Sequence, residues 1–234
     1  MPNLTRSHSS LLFFFLSPLS APLLQRLPSR SPPQWVEAQN IKTNEYLGNL
    51  STREFLKEKL TAKYNYAKTG STFVRGKDDM KRYYYMKNDG LQNQYVLYWS
   101  KSVDDAAELF FDPNTLASDG TKALGATAFA KSGKMWAYGV SASGSDWQTI
   151  YIKNVESKED LKDSAGNVEK VEWVKFSGIS WLHDDSGFFY SRYPAPPELA
   201  DDKVELDNVK RGSETDSNVN MMVYFHRVVR IFFL

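Results

Sequence analysis

The chain has 234 residues, which is enough for one large domain or two small ones. Its 29 Lys and Arg almost balance its 28 Asp and Glu, for a formal net charge of +1. This balance argues against a nucleic-acid binder that depends on phosphate neutralisation. The chain contains no cysteine, which excludes a disulfide scaffold, a thiol nucleophile and cysteine-ligated metal centres.

The first 33 residues differ in composition from the rest. They contain no Asp or Glu and include one apolar run, Leu11–Leu16. That run is shorter than the ~20 residues that a membrane span needs, and Pro18 interrupts its extension, so no transmembrane helix is predicted. Three interpretations stay open: a secretory signal, an organellar transit peptide, or an unrelated stretch joined to a domain that starts near Trp35.

The next segment, residues 34–68, is predicted to be helical. Between Gln34 and Leu47, apolar residues recur with polar residues between them, and Gly48 is a typical helix stop. A second helix is predicted from Ser51 to about Tyr66, because its apolar residues are spaced three or four apart.

After Thr69 the pattern becomes that of short strands separated by turns. Runs rich in aromatic and β-branched residues are followed by Asn, Asp, Gly or Pro, which is typical of an all-β architecture. The predicted strands are 81–86, 95–99, 109–111, 135–138, 148–152, 188–190 and 221–225.

A weak internal repeat runs through these strands. An aromatic residue, a polar turn with Gly and an aromatic strand follow one another after Phe73, Phe129 and Trp181, at intervals of 56 and 52 residues. A repeat of roughly 40–50 residues with four strands is typical of a β-propeller blade. The sequence therefore predicts a mainly β fold, a partial β-propeller preceded by a short α-helical segment. The alternative is a sandwich of similar hairpins.

The residue inventory contains no self-contained active site. No serine lies in the Gly-x-Ser-x-Gly turn of an α/β-hydrolase. His183 lies in a predicted turn, where a solvated residue is favoured over a general base, and His226 has no obvious partner. The pairs Asp184-Asp185 and Asp201-Asp202 lack EF-hand spacing and are interpreted as solvated carboxylates. We expect no metal and no cofactor.

Several segments in order resemble one known family. The most specific is Ala-Tyr-Gly-Val-Ser-Ala-Ser-Gly-Ser-Asp-Trp at 137–147, and the runs 83–98 and 174–177 accompany it. Trp35–Asn40 is similar to the helix that precedes the propeller in the same family. The chain resembles the N-terminal portion of the prolyl oligopeptidases, serine peptidases with a β-propeller lid.

The resemblance implies a two-domain enzyme that cleaves short peptides after proline, or one that macrocyclises them, with a propeller that gates substrate access. The family's Ser, Asp and His lie in its hydrolase domain, so it implies no catalytic residue in this chain and no activity of the chain alone. Two substrate-binding residues are implied. Phe176 matches an aromatic residue that lines a substrate subsite, and its alternative is a residue of the blade core. Asp146 matches an acidic residue on the propeller face toward the active site, and its alternative is a turn residue.

The resemblance also divides the chain. Residues 1–33 form a foreign or targeting-like leader, and residues 34–68 form a helical lead-in that packs on the hydrolase domain. Residues 69–229 form about three of the seven blades, and residues 230–234 form a tail that does not resemble the family. Short proline-containing peptides are the expected partners, with no nucleic acid and no membrane. A cytoplasmic, monomeric parent and an aggregation-prone fragment are expected. The alternative function is a non-catalytic β-propeller interaction module.

Overall fold

The computed structural model of the protein describes residues 32–194 and 218–228. The segment 1–31, most of the polar stretch that follows Pro194 and the tail from residue 229 lie outside the described residues. The leader and tail predictions therefore fall almost entirely outside them. The chain divides into two compact units, one ending at Lys59 and the other beginning at Leu60.

Two helices are present where the sequence predicts them. Helix α1 spans Pro32–Gly48 and helix α2 spans Arg53–Tyr64. A proline in the first turn of α1 is favourable, because the first helical N–H groups have no partner in the helix. The large apolar side chains are exposed at Trp35, Ile41, Tyr46, Phe55, Leu56 and Leu60. No helix in the described part of the chain has both the length and the apolar character to span a membrane.

A first antiparallel sheet follows the helices. Its strands are β1 (Lys68–Thr69), β2 (Phe73–Arg75), β3 (Arg82–Asn88), β4 (Val96–Ser100) and β5 (Glu108–Phe111). Strand β3 pairs with β1 and β2 on one side and with β4 on the other, and β5 is the outer strand. This sheet is the first blade.

A second sheet contains the remaining strands. They are β6 (Lys122–Phe129), β7 (Met135–Ala142), β8 (Trp147–Asn154), β9 (Lys170–Lys175), β10 (Ser180–Trp181), β11 (Gly187–Arg192) and β12 (Met222–Arg227). Strands β6 to β9 pair in sequence order as the second blade. Strand β11 touches β9 through one pair, Arg192 opposite Val174, and pairs with β10 and β12 as the third blade. The prediction of a partial propeller is confirmed.

Aromatic side chains fill the seam between the first two blades. The Trp136 ring of β7 lies 5.3 Å from the Phe110 ring and 5.0 Å from the Phe111 ring of β5, between ring centroids. Tyr84 of β3 approaches Phe129 of β6 at 4.5 Å. This seam accounts for much of the chain's 14% aromatic content, because aromatic rings bury large areas and interact edge-on and stacked.

The second and third blades share an apolar core. It joins Ile150, Ile152 and Val174 of the second blade to Trp181 and Phe188 of the third. All five side chains are buried. Burial of large aliphatic and aromatic side chains stabilises this junction by about 1.5–3 kcal/mol for each one.

A partly buried polar network includes Tyr138, Asp160 and Lys153. The Tyr138 hydroxyl donates to Asp160 Oδ1 at 2.9 Å, and Lys153 Nζ lies 2.8 Å from the same carboxylate oxygen. Burial, with the negative charge of Asp160, raises the pKa of the Tyr138 hydroxyl. The buried ammonium of Lys153 is therefore paired with a carboxylate, as a buried charge in a protein requires.

The side chain of Gln148 crosses two strands of the second blade. Its Oε1 accepts a hydrogen bond from Ala126 N at 3.0 Å, at an irregularity in the β6–β7 pairing. A Cβ atom at Gly125 or Gly139 would collide with this oxygen. The two glycines therefore leave room for a glutamine that satisfies a backbone N–H outside the ladder.

The predicted strands all correspond to observed ones, while two long strands escaped prediction. Strand β6 consists mainly of Ala, Gly, Thr and Lys, which have weak strand signals except Thr. Strand β9 alternates Lys and Glu with Val and Trp but is preceded by a long polar turn. The aromatic residues that begin the three repeats, Phe73, Phe129 and Trp181, lie in β2, β6 and β10. Each of these strands comes directly before the strand with which it pairs.

Candidate functional site

The two residues singled out by the resemblance lie together at one end of the second blade. Asp146 immediately precedes β8 and Phe176 immediately follows β9. The antiparallel register pairs Trp147 with Lys175, so that Asp146 and Phe176 each stand one residue beyond this pair. Both side chains are exposed. The structure thus brings together two residues that are 30 positions apart in the sequence.

Phe176 presents its ring to solvent from a constrained backbone. Its side chain is 60% exposed, so it does not belong to the blade core. Its φ of +54° is in the left-handed region, which bulky residues rarely adopt. Such conformations cost about 1–3 kcal/mol and cluster at ligand-contacting sites. An exposed aromatic ring held in this way is suited to contact an apolar ligand.

A β-bulge in β9 precedes Phe176. Between the pairs Gln148–Val174 and Ile150–Val171, two residues of β9 oppose one residue of β8. Trp173 is one of these two β9 residues, and it also has a positive φ of +61°. Bulges bend a strand and re-aim the side chains that follow, and they are frequent next to functional sites.

The ammonium of Lys175 contacts the Phe176 ring. Its side chain is buried, and its Nζ lies 5.3 Å from the centroid of the Phe176 ring and 4.9 Å from that of Trp147. Trp147 in turn packs edge-on against Trp173 at 5.6 Å. An ammonium over an aromatic face is attractive because of the ring quadrupole. Sequence reasoning missed Lys175, although a lysine between aromatic residues at a strand end was a visible signal.

The turn before Asp146 is tight. Ser143 and Gly144 both have positive φ, and Ser145 Oγ accepts a hydrogen bond from Trp147 N at 3.1 Å. Asp146 forms no hydrogen bond or ion pair with another residue in the ranges 32–194 and 218–228. Its carboxylate is therefore exposed beside the Phe176 position, and the two offer an apolar surface with an adjacent negative charge.

Two expectations about titratable residues are wrong. Asp185 was interpreted as a solvated carboxylate, but it is 8% exposed and its carboxylate accepts hydrogen bonds from backbone N–H groups. His226 was expected to lack a partner, but its Nε2 lies 2.8 Å from Glu169 Oε1. The partners are 54 and 57 residues away in sequence, which explains why the local pattern did not reveal them. His183 is exposed in its turn, in agreement with its interpretation as a turn residue.

The exposed side chains of Phe176 and Asp146 offer contact surfaces. Across the residues that the structure describes, no three His, Asp or Glu side chains are grouped so as to hold a metal ion. The sequence also has no Gly-x-Ser-x-Gly turn. Phe176 and Asp146 offer contact surface to a ligand.

Comparison with known families decides what this fold is. A family model described as the prolyl oligopeptidase N-terminal beta-propeller domain matches residues 27–229. The chain belongs to the prolyl oligopeptidase family. This confirms the resemblance, and the propeller portion of that family is the part that the chain matches.

Relatives in fungi and bacteria match the same part. The chain is 35% identical to prolyl oligopeptidase A of Amanita bisporigera over 214 residues, covering 86% of this chain and 27% of that protein. It is 42% identical to the prolyl endopeptidase of Elizabethkingia meningoseptica over 164 residues, covering 70% of this chain and 22% of that protein. The chain thus spans about a quarter of the length of these relatives.

Solved structures show the same similarity. Prolyl oligopeptidase B from Galerina marginata, bound to a 35mer hydrolysis and macrocyclization substrate, matches with a TM-score of 0.65 and 34% identity. The match covers 87% of this chain and 28% of that one. A second structure of the same protein, bound to a 25mer macrocyclization substrate, matches with a TM-score of 0.66.

Proposed function

We propose that the chain supplies part of the propeller of a serine-type endopeptidase that cleaves short peptides after proline. The observation that carries the proposal is the family match over residues 27–229. The relatives with 35% and 42% identity are named prolyl oligopeptidase and prolyl endopeptidase. Within such an enzyme, this portion gates the access of substrate to the catalytic centre.

Phe176 and Asp146 are the residues that contact the peptide. The exposed ring of Phe176 packs against an apolar side chain of the substrate, and the Asp146 carboxylate interacts with a polar or charged group beside it. Support comes from their shared position beyond the Trp147–Lys175 pair and from the exposure of both side chains. The buried ammonium of Lys175 limits the movement of the ring.

Other parts of the enzyme hold the chemistry. We infer that the exposed apolar side chains of α1 and α2, among them Trp35 and Phe55, pack on a hydrolase domain that carries the nucleophile and base. The chain alone is therefore inactive, because a peptidase needs a nucleophile and oxyanion donors in one site. The enzyme is a cytoplasmic monomer and needs no cofactor, nucleic acid or membrane.

A direct assay tests the inactivity of the chain. The purified 234-residue chain is incubated with a fluorogenic Gly-Pro peptide, and we expect no turnover above the buffer blank. Turnover that a serine-directed inhibitor abolishes would contradict this expectation. The transcript beyond the codon for Val229 is sequenced in parallel, and we expect an in-frame region with a Gly-x-Ser-x-Gly motif.

A chimera tests the contact residues. Residues 34–228 replace the aligned portion of an active prolyl oligopeptidase, and KM and kcat are measured with a short proline-containing peptide. Phe176→Ala is expected to raise KM about tenfold with little change in kcat, because it removes apolar contact with bound substrate. Asp146→Asn is expected to change KM according to the charge of the peptide.

Matched controls use exposed residues far from this end of the blade. Val103 and Asp105 lie in the exposed connection between β4 and β5. The substitutions Val103→Ala and Asp105→Asn are expected to leave KM unchanged. Equal effects of Phe176→Ala and Val103→Ala would rule out the contact role of Phe176. A chimera that binds peptides and folds but never cleaves would favour the non-catalytic interaction module.

A further inference from the structure

The second blade has a turn between β6 and β7, and the third blade has an equivalent turn between β10 and β11. In the second blade, Gly133 N donates to Ala130 O and Ala130 N donates to Met135 O. In the third blade, Asp185 N donates to Leu182 O and Leu182 N donates to Gly187 O. The same pattern of bonds makes Asp185 the counterpart of Gly133 and Asp184 the counterpart of Ser132.

The counterpart positions share an unusual backbone conformation. Gly133 has a φ of +84° and Asp185 a φ of +58°. Glycine is the ordinary residue for this left-handed conformation, and a non-glycine residue there is disfavoured, although Asp tolerates it better than most. An aspartate at this position therefore calls for a specific use of its side chain.

The Asp185 carboxylate bonds to the turn of the preceding blade. Oδ1 accepts a hydrogen bond from Lys131 N at 2.8 Å, and Oδ2 accepts one from Ser132 N at 3.3 Å. The residue is 8% exposed, so these charge-assisted bonds are shielded from water. They span 54 and 53 residues of sequence and connect different blades.

The same turn of the second blade also contacts the first blade. Ser132 O accepts a hydrogen bond from Lys77 N, and a Cβ atom at Gly133 would collide with the backbone of Gly76. Between the first two blades, glycine permits direct contact of two backbones. Between the second and third blades, an aspartate side chain bridges the turns instead.

We propose that Asp185 is a latch that holds the third blade against the second. The shared core of the two blades supplies their apolar attraction, and the carboxylate fixes the spacing of their turns. A second bond crosses the same seam, because Trp181 Nε1 of β10 donates to Ala128 O of β6 at 3.0 Å. When the latch is removed, the seam opens locally and this neighbouring bond is exposed to solvent more often. The latch does not depend on the peptidase function proposed above.

Hydrogen exchange of the full 234-residue chain tests the latch. Asp185→Gly removes the carboxylate and installs the residue found at the counterpart position, so the turn conformation is retained. Exchange of the Lys131 and Ser132 amides is expected to accelerate roughly tenfold or more, as for loss of a hydrogen bond to a charged group. The indole N–H of Trp181 is expected to accelerate as well.

Two further variants make the result specific. Asp185→Asn keeps one oxygen acceptor and is expected to give a smaller acceleration than Asp185→Gly, and it serves as the test if the glycine variant fails to fold. Asp184→Ser is the matched control, because it introduces the counterpart residue and Asp184 Oδ1 accepts bonds from Ser186 of its own turn. It is expected to leave the exchange of all three groups unchanged.

Three results would overturn the proposal. The first is exchange of the Lys131 and Ser132 amides in Asp185→Gly at the wild-type rate. The second is an equal acceleration in Asp184→Ser. The third is faster exchange of the two amides while the Trp181 indole N–H exchanges at the wild-type rate. Asp185 would then satisfy two N–H groups without holding the two blades together.

Discussion

At the scale of single residues, two buried tyrosines link the stability of the fold to pH. Burial raises the pKa of both Tyr84 and Tyr138, and the negative charge of Asp160 adds to the effect at Tyr138. In the unfolded chain both hydroxyls titrate near pH 10. Above that pH the unfolded chain loses protons that the folded chain keeps, so the free energy of unfolding falls as pH rises.

We predict that the free energy of unfolding is insensitive to these tyrosines below about pH 10. It then falls by up to about 1.4 kcal/mol per pH unit for each of them. Tyr138→Phe is expected to make the fall of the unfolding free energy above pH 10 shallower. At neutral pH it is expected to lower that free energy by about 1–3 kcal/mol, because the hydrogen bond to Asp160 is lost. Urea unfolding between pH 7 and 11 measures both effects. Tyr95→Phe, at an exposed position, is the control, and an equally shallow decline in it would contradict the prediction.

Residue-level prediction from the sequence succeeded where the signal was local. The turn position of His183 follows from the turn residues around it in the sequence. The burial of Asp185 and the partner of His226 do not, because the atoms that satisfy them lie more than 50 residues away. Burial of a polar side chain depends on such distant partners, which no local pattern contains.

At the scale of strands, Gln148 ties three neighbouring strands of the second blade. Its side chain leaves β8, passes Gly139 of β7 and reaches Ala126 N of β6. The small residues that make β6 hard to recognise in the sequence are thus those that leave room for this glutamine. The weak strand signal of β6 has a packing cause, since strand propensity reflects the neighbours of each side chain.

We predict that Gly139→Ala and Gln148→Ala are coupled. Gly139→Ala displaces the glutamine oxygen and leaves Ala126 N without its acceptor, at a cost of about 1–3 kcal/mol. In a Gln148→Ala background the collision with the glutamine oxygen is gone and the added methyl meets only the Ala126 backbone, at 3.3 Å from O and 3.4 Å from N, so the further cost is smaller. A double-mutant cycle from urea unfolding is expected to give a coupling of about 0.5–3 kcal/mol. Additive costs would show that the glutamine does not bridge the strands.

At the scale of the whole chain, one face of the third blade is apolar and exposed. Phe189 and Phe225 pair across β11 and β12 with ring centroids 5.1 Å apart, and Val223 lies two residues along. All three side chains are exposed. An exposed apolar surface on a sheet favours association with other apolar surfaces.

We predict that this face drives self-association of the chain. Phe225→Thr keeps strand propensity while removing apolar area, and it is expected to lower the fraction of aggregated chain measured by light scattering. Val103→Thr, at an isolated exposed position of the first blade, is the control and is expected to change nothing. A monodisperse wild-type monomer with a sharp thermal transition would refute the prediction.

The general architecture was accessible from the sequence, because turns and aromatic strands repeat at intervals only slightly longer than a typical propeller blade. The pairing of blades was not, since it depends on contacts such as Trp136 on Phe110 and Asp185 on Lys131 that join distant segments. The position of Asp146 beside Phe176 likewise follows only from the β8–β9 register.

The aromatic seam between the first two blades gives the molecule an optical property. Trp136 of the second blade and Phe111 of the first pack edge-on with ring centroids 5.0 Å apart and planes inclined by 67°, and both are buried. Rings held so close and so rigidly couple their electronic transitions, and their chiral arrangement produces signed bands in ultraviolet circular dichroism. Separation of the first two blades would abolish these bands while the hairpins within each blade persist, so blade docking can be followed without any added label.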